Sequence, residues 1–171
     1  MTGQAPLAVL VGPPGAGKST VGALLASHLQ TTFRDTDALI EQAQGRSISD
    51  IFVDDGEAAF RLMERETVLR ALREGGGVLA LGGGAVLDTE VQEGLSGHTV
   101  IFLDVGIADA SQRVGFGGAR PLLAVNPRAS WTRLMQARRP VYEAVSTARV
   151  DTAGRTPDEV VAAVLAALDH S

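Results

Sequence analysis

Nine consecutive residues, Gly12-Pro13-Pro14-Gly15-Ala16-Gly17-Lys18-Ser19-Thr20, carry the densest chemical information in the chain. They fit G-x-x-x-x-G-K-[ST], a loop that wraps its backbone around phosphates. Gly12, Gly15 and Gly17, with the small Ala16, let backbone amides approach an anion closely at the start of a helix, where the dipole favours negative charge. Lys18 is expected to reach the β- and γ-phosphates of ATP and the Ser19 hydroxyl to bind Mg²⁺, while Thr20 supports the helix start. The motif predicts nucleotide binding. By itself it does not distinguish a kinase from a motor, a switch or a sensor.

Asp35-Thr36-Asp37 follows an extended stretch, and in an open parallel sheet the carboxyl ends of strands face the ligand crevice. One carboxylate there suits a water-mediated hold on Mg²⁺, and the other suits an attacking hydroxyl. Equally, Asp35 or Asp37 caps the next helix. Arg61 and Glu64 are three apart and share a helix face. Arg120 and Arg138 add guanidinium groups of the kind that grip carboxylate or phosphate oxygens, although each taken singly also fits a solvated surface charge. Gly82-Gly83-Gly84 reads either as a place of close substrate approach or as a plain turn.

The elements that must position these groups alternate. Strands are expected over Leu7–Val11, Thr31–Arg34, Val78–Leu81, Thr99–Leu103 and Arg149–Thr152. Helices are expected over Ser19–Leu29, Asp37–Gln44 (closed by Gly45), Ser49–Phe52, Glu57–Arg73, about Ile107–Val114, Ser130–Ala144 and Pro157–Leu168. From Gly115 to about Arg128 the periodicity disappears and Gly, Pro and Arg concentrate, which reads as a mobile lid. Strands alternating with helices predict one α/β domain over 1–171, a three-layer sandwich with a central parallel sheet of about five strands.

Composition narrows the function classes. With 171 residues, 45% apolar and 20% charged, the chain suits one folded domain. It has no cysteine, which excludes disulfides and thiolate metal sites. A net charge of −5 argues against a broad nucleic-acid surface. Apolar runs such as Val160–Leu168 are too short to span a membrane, and no basic residue precedes Lys18 as a secretory signal would require. A cytoplasmic monomer is expected.

Taken together, the motifs resemble the shikimate kinase family over nearly the whole length. The resemblance rests on Gly12–Thr20, Asp35-Thr36-Asp37, Asp55-Gly56-Glu57 with Phe60-Arg61-x-x-Glu64, Leu81-Gly82-Gly83-Gly84, Arg120-Pro121-Leu122-Leu123 and Arg138-x-Pro140-x-Tyr142. It implies a nucleoside-monophosphate-kinase-like P-loop fold and phosphoryl transfer from ATP to the 3-hydroxyl of shikimate. It further implies that Asp37 binds the acceptor hydroxyls as candidate base, that Arg61 and Arg138 clamp the carboxylate with Gly83 in backbone contact, and that Glu64 orients this group. Lys18 and Arg120 would neutralise the transferring phosphoryl, Ser19 and Asp35 would hold Mg²⁺, and Arg113 and Pro157 would flank the adenine. Arg139 directly follows Arg138, so a different helix register exchanges their roles. Rival readings are a kinase for another hydroxylated acid such as gluconate, a nucleoside monophosphate kinase whose phosphate acceptor Asp37 would repel, and an ATP-sensing module without turnover.

Overall fold

Short runs of Val, Leu, Ile, Ala and Phe build the centre of the molecule, since residues buried on both sheet faces must be continuously apolar. The computed structural model describes residues 5–106, 109–110 and 127–169. Strands β1 (Ala8–Val11), β3 (Val78–Ala80) and β4 (Val100–Asp104) are buried throughout, whereas β2 (Phe33–Asp35) and β5 (Ala148–Asp151) are partly exposed. They form a five-stranded sheet in the order β2-β3-β1-β4-β5, and every pairing is parallel. The expected α/β architecture is the observed one.

Helices α1 (Lys18–His28), α2 (Thr36–Gln44), α3 (Ile48–Asp55), α4 (Glu57–Glu74), α5 (Thr89–Leu95), α6 (Pro127–Val145) and α7 (Pro157–Asp169) flank the sheet. α1 packs on α7, and α4 packs on α2, α3 and α5. The ends of the helices explain where the chain turns. Asp35 caps α2 by accepting hydrogen bonds from the Asp37 and Ala38 amides, and Gly45 closes it in the left-handed conformation with φ 68°. Ser47 caps α3 by accepting from Asp50 N–H. The carboxyl ends of β1, β2 and β3 then deliver the Gly-rich loop, Asp35 and Gly82–Gly84 to one edge of the sheet.

Most boundaries fall within one residue of expectation, and four larger departures stand out. β2 begins two residues later than the expected Thr31, because α1 ends in a Schellman-type turn that uses Thr31: its amide donates to Ala26 O at 2.9 Å while Gln30 takes φ 53°. α3 runs on to Asp55 and closes only at Gly56, whose amide donates to Ile51 O at 3.2 Å and Phe52 O at 3.1 Å. The segment 85–98, where no element is expected, holds a short 3-10 turn at Ala85–Leu87 and helix α5, whose start is capped by Asp88 accepting from the Glu90 and Val91 amides. α6 starts at Pro127, so 127–128 belong to a helix and not to the lid. The rest of the expected lid, 115–126, and all but 109–110 of the expected helix at 107–114 lie outside the described residues.

Gly77 controls how β2 docks. It has φ 64°, and a Cβ there would stand 2.3 Å from the carbonyl oxygen of Thr32, the atom that accepts from Val78 N–H at the start of the β2–β3 ladder. Gly77→Ala combines a left-handed backbone with an overlap against main chain. It should cost about 2–4 kcal/mol of stability, read as a fall in melting temperature of roughly 5–15 °C.

Candidate active site

The Gly-rich loop bends back on itself through Gly15 and Gly17, both at φ 87°, before α1 begins. Lys18 Nζ donates to the carbonyls of Gly12 (2.6 Å) and Pro13 (3.1 Å), so its ammonium is held over the loop. The loop borders a cavity of about 470 Å³ that Gly15, Ala16, Gly17, Lys18, Ser19 and Thr20 line on one side and Arg155, Pro157 and Val160 on the other. Gly12 is not in the lining. It lies beneath the loop, where a Cβ would meet Leu103 O at 2.5 Å, so its glycine serves the close approach of β4. Pro157 is at the cavity as expected, and Arg155 and Val160 join it unannounced by the sequence. Arg113 and Arg120 lie outside the described residues.

The two aspartates divide their work. Asp35 does cap the helix, through Oδ1, but its other oxygen accepts a hydrogen bond of 2.7 Å from Ser19 Oγ on the Gly-rich loop. Asp37 is not the cap. Its carboxylate faces the Gly82–Gly84 turn and lines both the nucleotide-side cavity and a second one.

This second cavity, about 480 Å³, is lined by Asp37, Arg61, Glu64, Gly83, Gly84 and Arg138 together with Ser47, Ile48, Ser49, Phe52, Phe60 and Leu134. Pro14, Ser19, Asp35, Asp37 and Gly83 line both cavities, so the two spaces adjoin across Gly83. The glycine triplet makes the convergence possible. A Cβ on Gly82 would stand 2.6 Å from Asp37 Oδ1 and 2.9 Å from Glu64 Oε2, and one on Gly84 would stand 2.5 Å from Arg61 Nη1. The charged side chains therefore fill the volume that ordinary residues would take.

Glu64 is the buried member, 3% exposed, and Arg61 Nη1 donates to its Oε1 at 2.8 Å. Burial pushes the Glu64 carboxyl above the ordinary carboxylate range against the opposing Arg61 cation, and the neighbouring Asp37 adds to the rise. Arg61 also lies 3.6 Å from Glu57, one helical turn back. With five N–H donors, a guanidinium held on one side by Glu64 keeps capacity for an incoming anion.

Arg138 and Arg139 have different surroundings. Arg138 is 6% exposed and lines the second cavity, with Nη1 3.3 Å from the Cβ position of Gly83. Arg139 points elsewhere, pairing with Asp104 at 2.6 Å, where Arg149 also donates at 2.8 Å. Burial alone would raise the Asp104 carboxyl, but these two hydrogen-bonded cations outweigh it and hold it below the ordinary range. α6 is fastened at two further points: Trp131 Nε1 donates to Pro14 O at 3.1 Å and Tyr142 Oη donates to Gly83 O at 2.5 Å. Trp131, Leu134, Arg138 and Tyr142 recur at helical spacing, a signal that placed one face of α6 over the site and that the sequence reading left unused beyond Arg138.

A five-stranded parallel sheet, an anion nest leading into α1, and a charged cleft beside it define an α/β protein of the P-loop nucleotide-binding class. Comparison with known proteins narrows the class. A sequence profile of the shikimate kinase family matches residues 14–169. The chain is 58% identical over 166 residues to a shikimate kinase of Streptomyces coelicolor, covering 97% of each chain. It is 57% identical over 167 residues to one of Salinispora arenicola, covering 96% of this chain and all of the other. Among solved structures, shikimate kinase from Acinetobacter baumannii in complex with shikimate superposes with a TM-score of 0.89 at 32% identity, over 98% of this chain and 94% of that one. The enzyme from Aquifex aeolicus gives 0.79 at 32% identity, over 95% and 96%. This chain belongs to the shikimate kinase family.

Glu64 gives the site a pH signature. Its folded-state pKa lies above the unfolded value of 4.5, so the folded protein binds this proton more tightly than the unfolded chain. Stability then falls as pH rises through the raised value. Glu64→Gln removes the ionisation. At neutral pH it should melt no lower than the parent, and the difference should shrink as pH is brought down to about 4.5. Parallel melting curves read this directly, and a variant that loses ground at neutral pH contradicts the assignment.

Proposed function

We propose that the chain transfers the γ-phosphoryl group of ATP to a ring hydroxyl of shikimate, the 3-hydroxyl, giving shikimate 3-phosphate and ADP. The observation that carries this reading is the adjoining of two cavities across Gly83. One is built on the Gly-rich loop, and the other holds a carboxylate, Asp37, opposite the guanidiniums of Arg61 and Arg138. Such a pocket suits a small acceptor that has hydroxyls at one end and a carboxylate at the other. The A. baumannii relative was solved with shikimate, which supports the same acceptor here.

In this reading the loop amides and Lys18 hold the phosphates, with Pro157 beside the base. Arg61 and Arg138 grip the acceptor carboxylate while Glu64 keeps Arg61 in place. Asp37 accepts the proton of the attacking hydroxyl as its oxygen bonds to the γ-phosphorus and the bond to the β-bridging oxygen breaks, the electron pair leaving with ADP. Arg120 and Arg113 keep the roles that family membership suggests, charge neutralisation on the phosphoryl group and packing on adenine.

Mg²⁺ fits the residues present. Ser19 Oγ and Asp35 Oδ2 lie 2.7 Å apart at the edge of the nest. Among the described residues no group of three His, Cys, Asp or Glu side chains forms a cage, which suits an ion that takes most of its ligands from phosphate oxygens and water. When bound, it would neutralise charge on the β- and γ-phosphates. Among the described residues no helix is long and apolar enough to cross a membrane.

The direct test is ADP release from Mg-ATP in the presence of shikimate, with gluconate, quinate and AMP as competing acceptors. Shikimate alone is expected to support turnover, and equal turnover with AMP or gluconate would overturn the assignment. Arg138→Ala should raise the KM for shikimate on the order of 10²-fold with the KM for ATP unchanged, whereas Arg139→Ala should leave both nearly as they were. Asp37→Asn should abolish transfer while nucleotide titrations stay normal. Arg120→Ala should cut kcat by about 10³-fold.

A further inference from the structure

Tyr142 carries a hydroxyl where a core residue needs none. The side chain is completely buried, and its ring stacks on Phe102 with centroids 5.2 Å apart, a packing that phenylalanine would provide equally. A buried hydroxyl must find partners or destabilise the fold. This one donates to the carbonyl oxygen of Gly83 at 2.5 Å, 59 residues away in sequence. Gly83 is the residue that lines both cavities, and Pro14 Cδ and Arg138 Nη1 each stand 3.3 Å from its Cβ position. Arg138 lies one helical turn before Tyr142 on α6, and its guanidinium sits beside the same hydroxyl. The phenol stays neutral: burial pushes its pKa up to about 12, against the pull of the Arg138 cation. A neutral hydroxyl can donate to the carbonyl and still accept from the guanidinium.

We propose that Tyr142 is a positioning residue for the acceptor, its hydroxyl locking the Gly83 peptide and steadying the Arg138 guanidinium so that the carboxylate grip is formed before the acceptor arrives. This rests on the acceptor reading given above. A long side chain held in its bound rotamer loses less entropy on binding, so a preset guanidinium raises affinity without a new contact. The effect belongs to the acceptor side, because the nest's own contacts to Lys18 and Ser19 do not involve Tyr142.

The test is Tyr142→Phe, which keeps the ring and removes one oxygen. The KM for shikimate should rise about tenfold, with the KM for ATP unchanged and kcat within about threefold. Calorimetric titration of shikimate without nucleotide should show the same loss and remains readable if the variant is less stable, provided both proteins are kept below their melting transitions. Phe102→Leu serves as the contrast. It weakens the stacking but leaves the hydroxyl, and should lower the melting temperature with little change in either KM. An unchanged shikimate KM in Tyr142→Phe, an equal rise in both KM values, or the same acceptor-selective rise in Phe102→Leu would each overturn the proposal. Failure of the parent enzyme to release ADP with shikimate would instead remove the acceptor reading itself.

Discussion

A carboxylate buried at the base of a pocket is costly unless cations answer it. Glu64 sits in that position, with Arg61 hydrogen-bonded to it and Arg138 and Asp37 close enough to influence its proton. The arrangement gathers two guanidiniums and two carboxylates around one small volume. Bare backbone at Gly82–Gly84 is what admits these groups, since any Cβ at the outer two positions would overlap a charged atom. The second cavity thus depends on an interplay between missing side chains and crowded charges. Neither makes sense without the other.

Helix α6 ties this charged cluster to the rest of the molecule. Trp131 reaches the Gly-rich loop through Pro14 O, Arg139 reaches the end of β4 through Asp104, and Tyr142 reaches Gly83. Trp131 and Tyr142 hold one face of the helix and Arg139 a neighbouring one, which leaves it little freedom to rotate. A rotation by one residue would exchange Arg138 for Arg139 at the cavity. The Asp104 pair therefore acts at a distance on the site, by claiming the arginine that must stay out of it. Pro140, inside the same helix, removes one backbone donor.

Much of this was legible in the residues alone, and the reasons are physical. Buried parallel strands advertise themselves as continuous apolar runs, and the Gly-rich loop has a spacing that few other functions require. The observed sheet follows from those two signals. The Asp35 and Asp37 roles were undecided in the sequence because capping and metal-holding use the same oxygen chemistry. In the folded chain Asp35 spends one oxygen on the helix and the other on Ser19. Helix α5 escaped notice because seven residues are too few for a clear period, although Asp88 marks its start. The choice between Arg138 and Arg139 needed the helix phase, which Trp131, Leu134 and Tyr142 supply. The glycine triplet reads in sequence either as a place of close substrate approach or as a plain turn; in the folded chain the space beside Gly82 and Gly84 is filled by the protein's own charged groups, while Gly83 lines both cavities.

The chain contains a single tryptophan and a single tyrosine, and α6 carries both. They are 11 positions apart, about 16 Å along a helix. The indole touches the carbonyl of Pro14 and the phenol touches Gly83. Near-ultraviolet absorption and emission therefore originate almost wholly from two points, each against a residue that lines both cavities. The native protein is its own optical probe: indole emission reports from beside the Gly-rich loop, and the phenol band from beneath the glycine turn.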